Sequence, residues 1–94
     1  MLNLNLENIQ VLSKNYSILN IDMDIEKWGE TDHIDQVIKI NNKLSEESQE
    51  ITLFHEIIHT IDIAMNLNLT ENQIIVLSEV LTDTLKRNEE LVIS

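Results

Sequence analysis

Ile51, Phe54, Ile58, Ile61 and Met65 recur at spacings of three and four, which commits the middle of this chain to an amphipathic helix. Ser45 suits the N-cap, and Glu46 and Glu47 put negative charge where the helix dipole is positive. The helix is expected from about Glu46 to Asn66, with Asn66 to Leu69 as a short connection. Thr70 and Gln73 then read as a capping box that opens a second helix from about Glu71 to Arg87. Leu77, Leu81 and Leu85 form one stripe of that helix with Ile74 above them, so the two helices can pack together. Glu79 and Asp83 fall on another face beside Ile75 and Val76, where an acid is costly to bury unless something pairs with it.

The preceding half reads as sheet. Ile9 to Leu12 and Tyr16 to Ile21 are short apolar-rich runs around Ser13-Lys14-Asn15, the pattern of a β-hairpin. Gln36 to Ile40 is a further strand, with Ile38 and Ile40 sharing a face. Between them Asp22 to Asp35 reads as loop or turn, with the only glycine, Gly29, and the only tryptophan, Trp28, expected to plug the core. The fold class is therefore α+β: a small antiparallel sheet of three or four strands followed by two packed helices, with residues 1–94 as one domain. With 94 residues, 43% of them hydrophobic, a bound metal would add usefully to stability. The absence of cysteine excludes disulfides and cysteine-ligated zinc, and fits a reducing, cytoplasmic compartment. No signal-peptide pattern opens the chain and no apolar run approaches membrane-spanning length, so no membrane partner is expected.

The first helix carries His55-Glu56-Ile57-Ile58-His59. Histidines four apart share a helix face about 6 Å apart along the axis, so both imidazoles can reach one Zn²⁺. The glutamate between them is free to take a proton from water at the metal's open position. A third ligand has to come from elsewhere, and Asp62, Glu71, Glu79, Asp83, Glu89 and Glu90 are the downstream acids. Asp62, beyond His59 on the same face, can instead support His59 or the helix packing.

The HExxH segment followed by Glu79-x-x-x-Asp83 resembles the gluzincin metallopeptidases, the thermolysin-like group. That resemblance implies that His55, His59 and Glu79 bind zinc, that Glu56 is the general base, and that Asp83 orients the His55 ring from behind. A wider stretch is similar to small phage and prophage zincin-like proteins. It comprises Trp28-Gly29, Gln36 to Ile40, Thr52 to Asp62, Leu67 to Thr70 and Leu77 to Leu85. In zincins an edge strand beside the zinc helix binds the substrate backbone, and Gln36 to Ile40 is the candidate here, an internal strand being the equal alternative. An oxyanion donor is also usual in zinc peptidases; His33 and Tyr16 are the available side chains outside the zinc helix, apart from lysines and Arg87.

The formal net charge of −11 argues against a nucleic-acid partner, since only six basic side chains face a phosphate backbone. It suits a basic or neutral polypeptide, or serves solubility alone. Three function classes follow. The first is a zinc-dependent metallopeptidase hydrolysing a peptide bond by Glu56-assisted attack of zinc-bound water, as monomer or homodimer. The second is a zinc-stabilised protein-binding module of phage origin, an inactive protease homologue. The third is a small structural or inhibitory protein with an accidental motif; as a DNA mimic it would need a regular array of acids, and these are scattered.

Overall fold

The computed structural model describes residues 7–90. Strand β1 (Asn8–Val11) turns into β2 (Lys14–Ile21) through Leu12 and Ser13, whose φ angles of 49° and 70° are both positive. A two-residue loop with that geometry matches the right-handed twist of the paired strands. The turn thus lies earlier than Ser13-Lys14-Asn15, and Lys14 pairs with Val11 inside the sheet. Along β2, Tyr16 and Ile18 point into the core while Asn15, Ser17 and Leu19 face outward.

Two further strands, β3 (Gly29–Asp32) and β4 (Val37–Asn41), complete a four-stranded sheet of order β1-β2-β4-β3. The β1–β2 hairpin is antiparallel as expected and the β3–β4 pairing is antiparallel too, but β2 and β4 run parallel, so the sheet is mixed. Residues 22–36 are long enough for the crossover that a parallel pair requires. The segment expected as loop therefore contains β3. Its sequence, Gly-Glu-Thr-Asp, has no apolar alternation to reveal a strand. Asp32 closes the β3–β4 turn, its Oδ1 accepting the backbone N–H groups of Ile34 and Asp35 at 2.9 Å each. The Asp35 amide, foremost, holds this carboxyl below the usual aspartate range.

Helix α1 (Glu46–Met65) lies over the sheet. Its Leu53 joins Val11, Tyr16, Ile18, Ile38 and Ile40 in the core, with Ile9, Ile57 and Ile61 packed against them. Leu53, Ile57 and Ile61 are successive turns of the sheet-facing stripe. Of the residues whose spacing predicts the helix only Ile61 belongs to it, while Ile58 is buried, Ile51 and Phe54 are half-buried and Met65 is exposed. Ser45 caps the helix by accepting from Ser48 N–H, and Asn66 ends it in the left-handed conformation at φ 53°. Helix α2 (Glu71–Arg87) opens with the expected capping box: Thr70 Oγ1 accepts from Gln73 N–H, and Gln73 Oε1 from Thr70 N–H.

The face that α2 turns inward is not its leucine stripe. Ile74, Ser78 and Thr82 are buried, whereas Leu77 and Leu81 remain 47% and 40% exposed. Small hydroxyl residues make a close helix contact without a polar penalty, because Ser78 Oγ donates to Ile75 O and Thr82 Oγ1 to Ser78 O. No helix of the described residues is long and apolar enough to cross a membrane.

Candidate metal centre

His55 and His59 project from successive turns of α1, and their Nε2 atoms are 3.1 Å apart. Glu71, in the first turn of α2, closes on both: Oε1 lies 2.9 Å from His55 Nε2 and Oε2 3.1 Å from His59 Nε2. Among the described residues, these three form the group whose ligand atoms lie within 4.8 Å of one another. The donor set fits Zn²⁺. Two imidazole nitrogens each about 2.0–2.1 Å from a tetrahedral zinc would be roughly 3.3 Å apart, close to the separation found here. Two aromatic nitrogens and a carboxylate drawn to one point need protons or a cation between them, and imidazole with carboxylate is a recurrent zinc set.

The antiparallel run of α1 and α2 explains why Glu71 reaches the histidines. A short connection places the first turn of α2 beside the His59 turn of α1, while Lys86, near the far end of α2, meets Glu50. Glu79, expected as third ligand from the gluzincin spacing, lies two turns further along α2. There it lines a pocket of about 290 Å³ with Trp28, Ile51, Thr52, His55 and Glu56. It adjoins the site without joining the converging ligand atoms. Asp83, expected behind His55, accepts from Arg87 Nε at 2.8 Å on an exposed part of α2. Asp62 Oδ1 accepts the Leu69 N–H at 3.0 Å and so fastens the α1–α2 connection. Glu89 and Glu90, the other downstream acids, are exposed beyond α2.

Glu56 is buried, at 7% exposure, on the flank of α1 that meets β3. Thr31 Oγ1 donates to its Oε1 at 2.7 Å. The strand approaches so closely here that a Cβ on Gly29 would lie 2.6 Å from Thr52 Cγ2 and 2.7 Å from Lys39 O. Glycine is required at that position. Gly29 and Thr31 lie on the same side of β3, and His33 follows in the turn after the strand. His33 lines an open groove with Thr31, His55, Glu56, His59 and Glu71. Of the two donors singled out from the sequence, His33 therefore stands at the groove. Tyr16 is 2% exposed in the core, with its ring edge-on to that of His33 at 6.4 Å.

One further sequence expectation changes, and one pair of equal alternatives is decided. Trp28 is not a core plug: it is 48% exposed and lines the pocket beside His55 and Glu56. Gln36 to Ile40 supplies the interior strand β4, and the edge strand beside α1 is β3. The loop that delivers Trp28 and Gly29 is tied down by fully buried Asn41, whose Nδ2 donates to Asp24 O and Lys27 O. Thr31 and Asn41 carry no motif, and Gly29, though part of the zincin-like stretch, owes its role to a close approach of β3 that no hydrophobic signature announces. Glu71 was within reach of the sequence through the short helical connection, but spacing alone did not rank it over Glu79.

No protein-family model matches the chain, and no curated protein and no solved structure is detectably similar to it.

Proposed function

We propose that this chain is a zinc-dependent metallopeptidase of zincin-like, gluzincin type, of the small phage or prophage kind. The observation that carries this reading is the convergence of His55, His59 and Glu71 beside buried Glu56, at an open groove bordered by an edge strand. His55 and His59 would hold the cation, with a carboxylate from α2. A bound zinc supplies Lewis acidity toward a carbonyl and makes water acidic enough to lose a proton near neutrality.

The chain's own groups supply the rest. Glu56 takes up the proton of the attacking water on Oε2, since Oε1 is engaged by Thr31, and passes it to the leaving nitrogen. Among the described residues β3 is an edge strand, whose outer side would pair with an extended polypeptide. His33, which lines the same groove, would donate a hydrogen bond to the developing oxyanion. A polypeptide substrate fits this edge and the net charge of −11, which favours neutral or basic segments.

The test is metal uptake set beside hydrolysis. Glu56→Gln is expected to keep one zinc per chain and to lose peptidase activity by about 10²–10⁴-fold. Retained biological activity in Glu56→Gln would favour the second reading, a zinc-stabilised binding module. That reading is supported by the exposed Leu77, Val80 and Leu81 on α2.

A further inference from the structure

We propose that Thr31 is a positioning residue for Glu56, fixing which carboxylate oxygen faces the cation; this rests on the metal-centre reading above. The contact is short: Thr31 Oγ1 to Glu56 Oε1 is 2.7 Å, at the distance of a charge-assisted hydrogen bond. Glu56 is otherwise a flexible side chain, with three rotatable bonds between its backbone and its reactive atoms. Water has little access to restrain it at 7% exposure.

The donor, by contrast, is held firmly. Thr31 pairs with Ile38 in the β3–β4 ladder, and Gly29, two residues earlier, presses β3 onto Thr52 of α1. A β-branched side chain has few χ1 states, so the Thr31 hydroxyl reaches Glu56 from a nearly fixed point. Engaging Oε1 leaves Oε2 for the proton and prevents the carboxylate from rotating away from the groove. The same strand that would align a substrate backbone thereby also aligns the base. A bond that served only to fasten β3 to α1 would leave the chemistry of Glu56 indifferent to its loss once the fold was intact, and the two roles separate experimentally.

The experiment uses the full chain loaded with Co²⁺, whose visible spectrum reports binding of acetohydroxamate, a small chelator that gives up its proton to a neighbouring carboxylate. Wild type, Thr31→Val, Thr31→Ser and Glu56→Gln are compared, with Thr31→Ala as a second deletion of the hydroxyl should the valine variant not fold. Each is expected to take up one cobalt. Thr31→Val is expected to bind acetohydroxamate about tenfold more weakly. Glu56→Gln should weaken binding at least as much, and Thr31→Ser should recover wild-type affinity to within about twofold. Where a peptide substrate is in hand, kcat should fall in Thr31→Val with KM little changed. Equal acetohydroxamate affinity in wild type and Thr31→Val, both cobalt-loaded, would overturn the positioning role alone. Failure of the wild type to take up cobalt or zinc would instead remove the metal-centre reading, and the proposal with it.

Discussion

At Gly29 the backbone of β3 touches α1 so closely that a methyl group has nowhere to go, with Lys39 O on one side and Thr52 on the other. Gly29→Ala should therefore destabilise the protein by about 1–3 kcal/mol in denaturant unfolding, and should push Thr31 away from Glu56. Zinc affinity should change less than the response to a hydroxamate, because the histidines ride on α1. Asp32, at the other end of the strand, makes a pH-dependent contribution. Its carboxyl is held below the usual aspartate range, chiefly by the Asp35 amide. Its stabilisation is therefore complete above that range and is lost as the pH falls through the lower, folded value. Wild type and Asp32→Ala should accordingly differ in thermal midpoint near neutrality and converge on acidification; a gap that widened in acid would contradict this. Gly29 shows in the sequence as the only glycine, but the contact that requires it is made across the fold; Asp32 acts locally, through a turn with no other signature in the sequence.

At the scale of elements, both helices were legible almost to the residue. Their ends are set by local chemistry: Ser45, Asn66, and the Thr70–Gln73 box each act within a few positions of the chain. Strand β3 was not legible, since an edge strand of Gly-Glu-Thr-Asp depends on the neighbour it pairs with and not on its own hydrophobicity. The rotation of α2 departs from its leucine stripe for a related reason. Leucines look like packing residues, but a close helix pair is served by Ser78 and Thr82. The α1–α2 pair is also held by Glu50, 1% exposed, whose Oε2 accepts no hydrogen bond and lies 3.6 Å from Lys86 Nζ. Removing one partner from a buried ion pair strands the other, so Lys86→Ala should cost about 1–3 kcal/mol, the half-open Lys86 side being partly relieved by water. Replacing both, Glu50→Leu with Lys86→Met, should return stability to within about 1 kcal/mol of wild type. A double variant as unstable as the single one would show that the pair has a role beyond neutralisation.

For the whole molecule, a metal at the proposed centre would tie the two helices together at one end as Glu50–Lys86 does at the other. His55 and His59 come from α1 and Glu71 from α2, so a cation bound there would stabilise the folded chain by linkage. Zinc at about a hundred times its dissociation constant adds about 2.7 kcal/mol, and in a domain of this size a chelator should then lower the thermal midpoint by about 10 °C or more. The candidate site was legible as far as the HExxH motif goes, since two histidines and a glutamate one turn apart are a local pattern. The third carboxylate was not, because it depends on how α2 is set against α1. The measurement that bears most directly on the account is zinc content per chain in purified wild type, His55→Ala, Glu71→Gln and Glu79→Gln proteins. One zinc is expected in wild type, none in His55→Ala, clearly weakened affinity in Glu71→Gln, and near-normal loading in Glu79→Gln. Loss of zinc in Glu79→Gln with Glu71→Gln unaffected would move the third ligand along α2, and a wild type that takes up no zinc would contradict the metal centre itself.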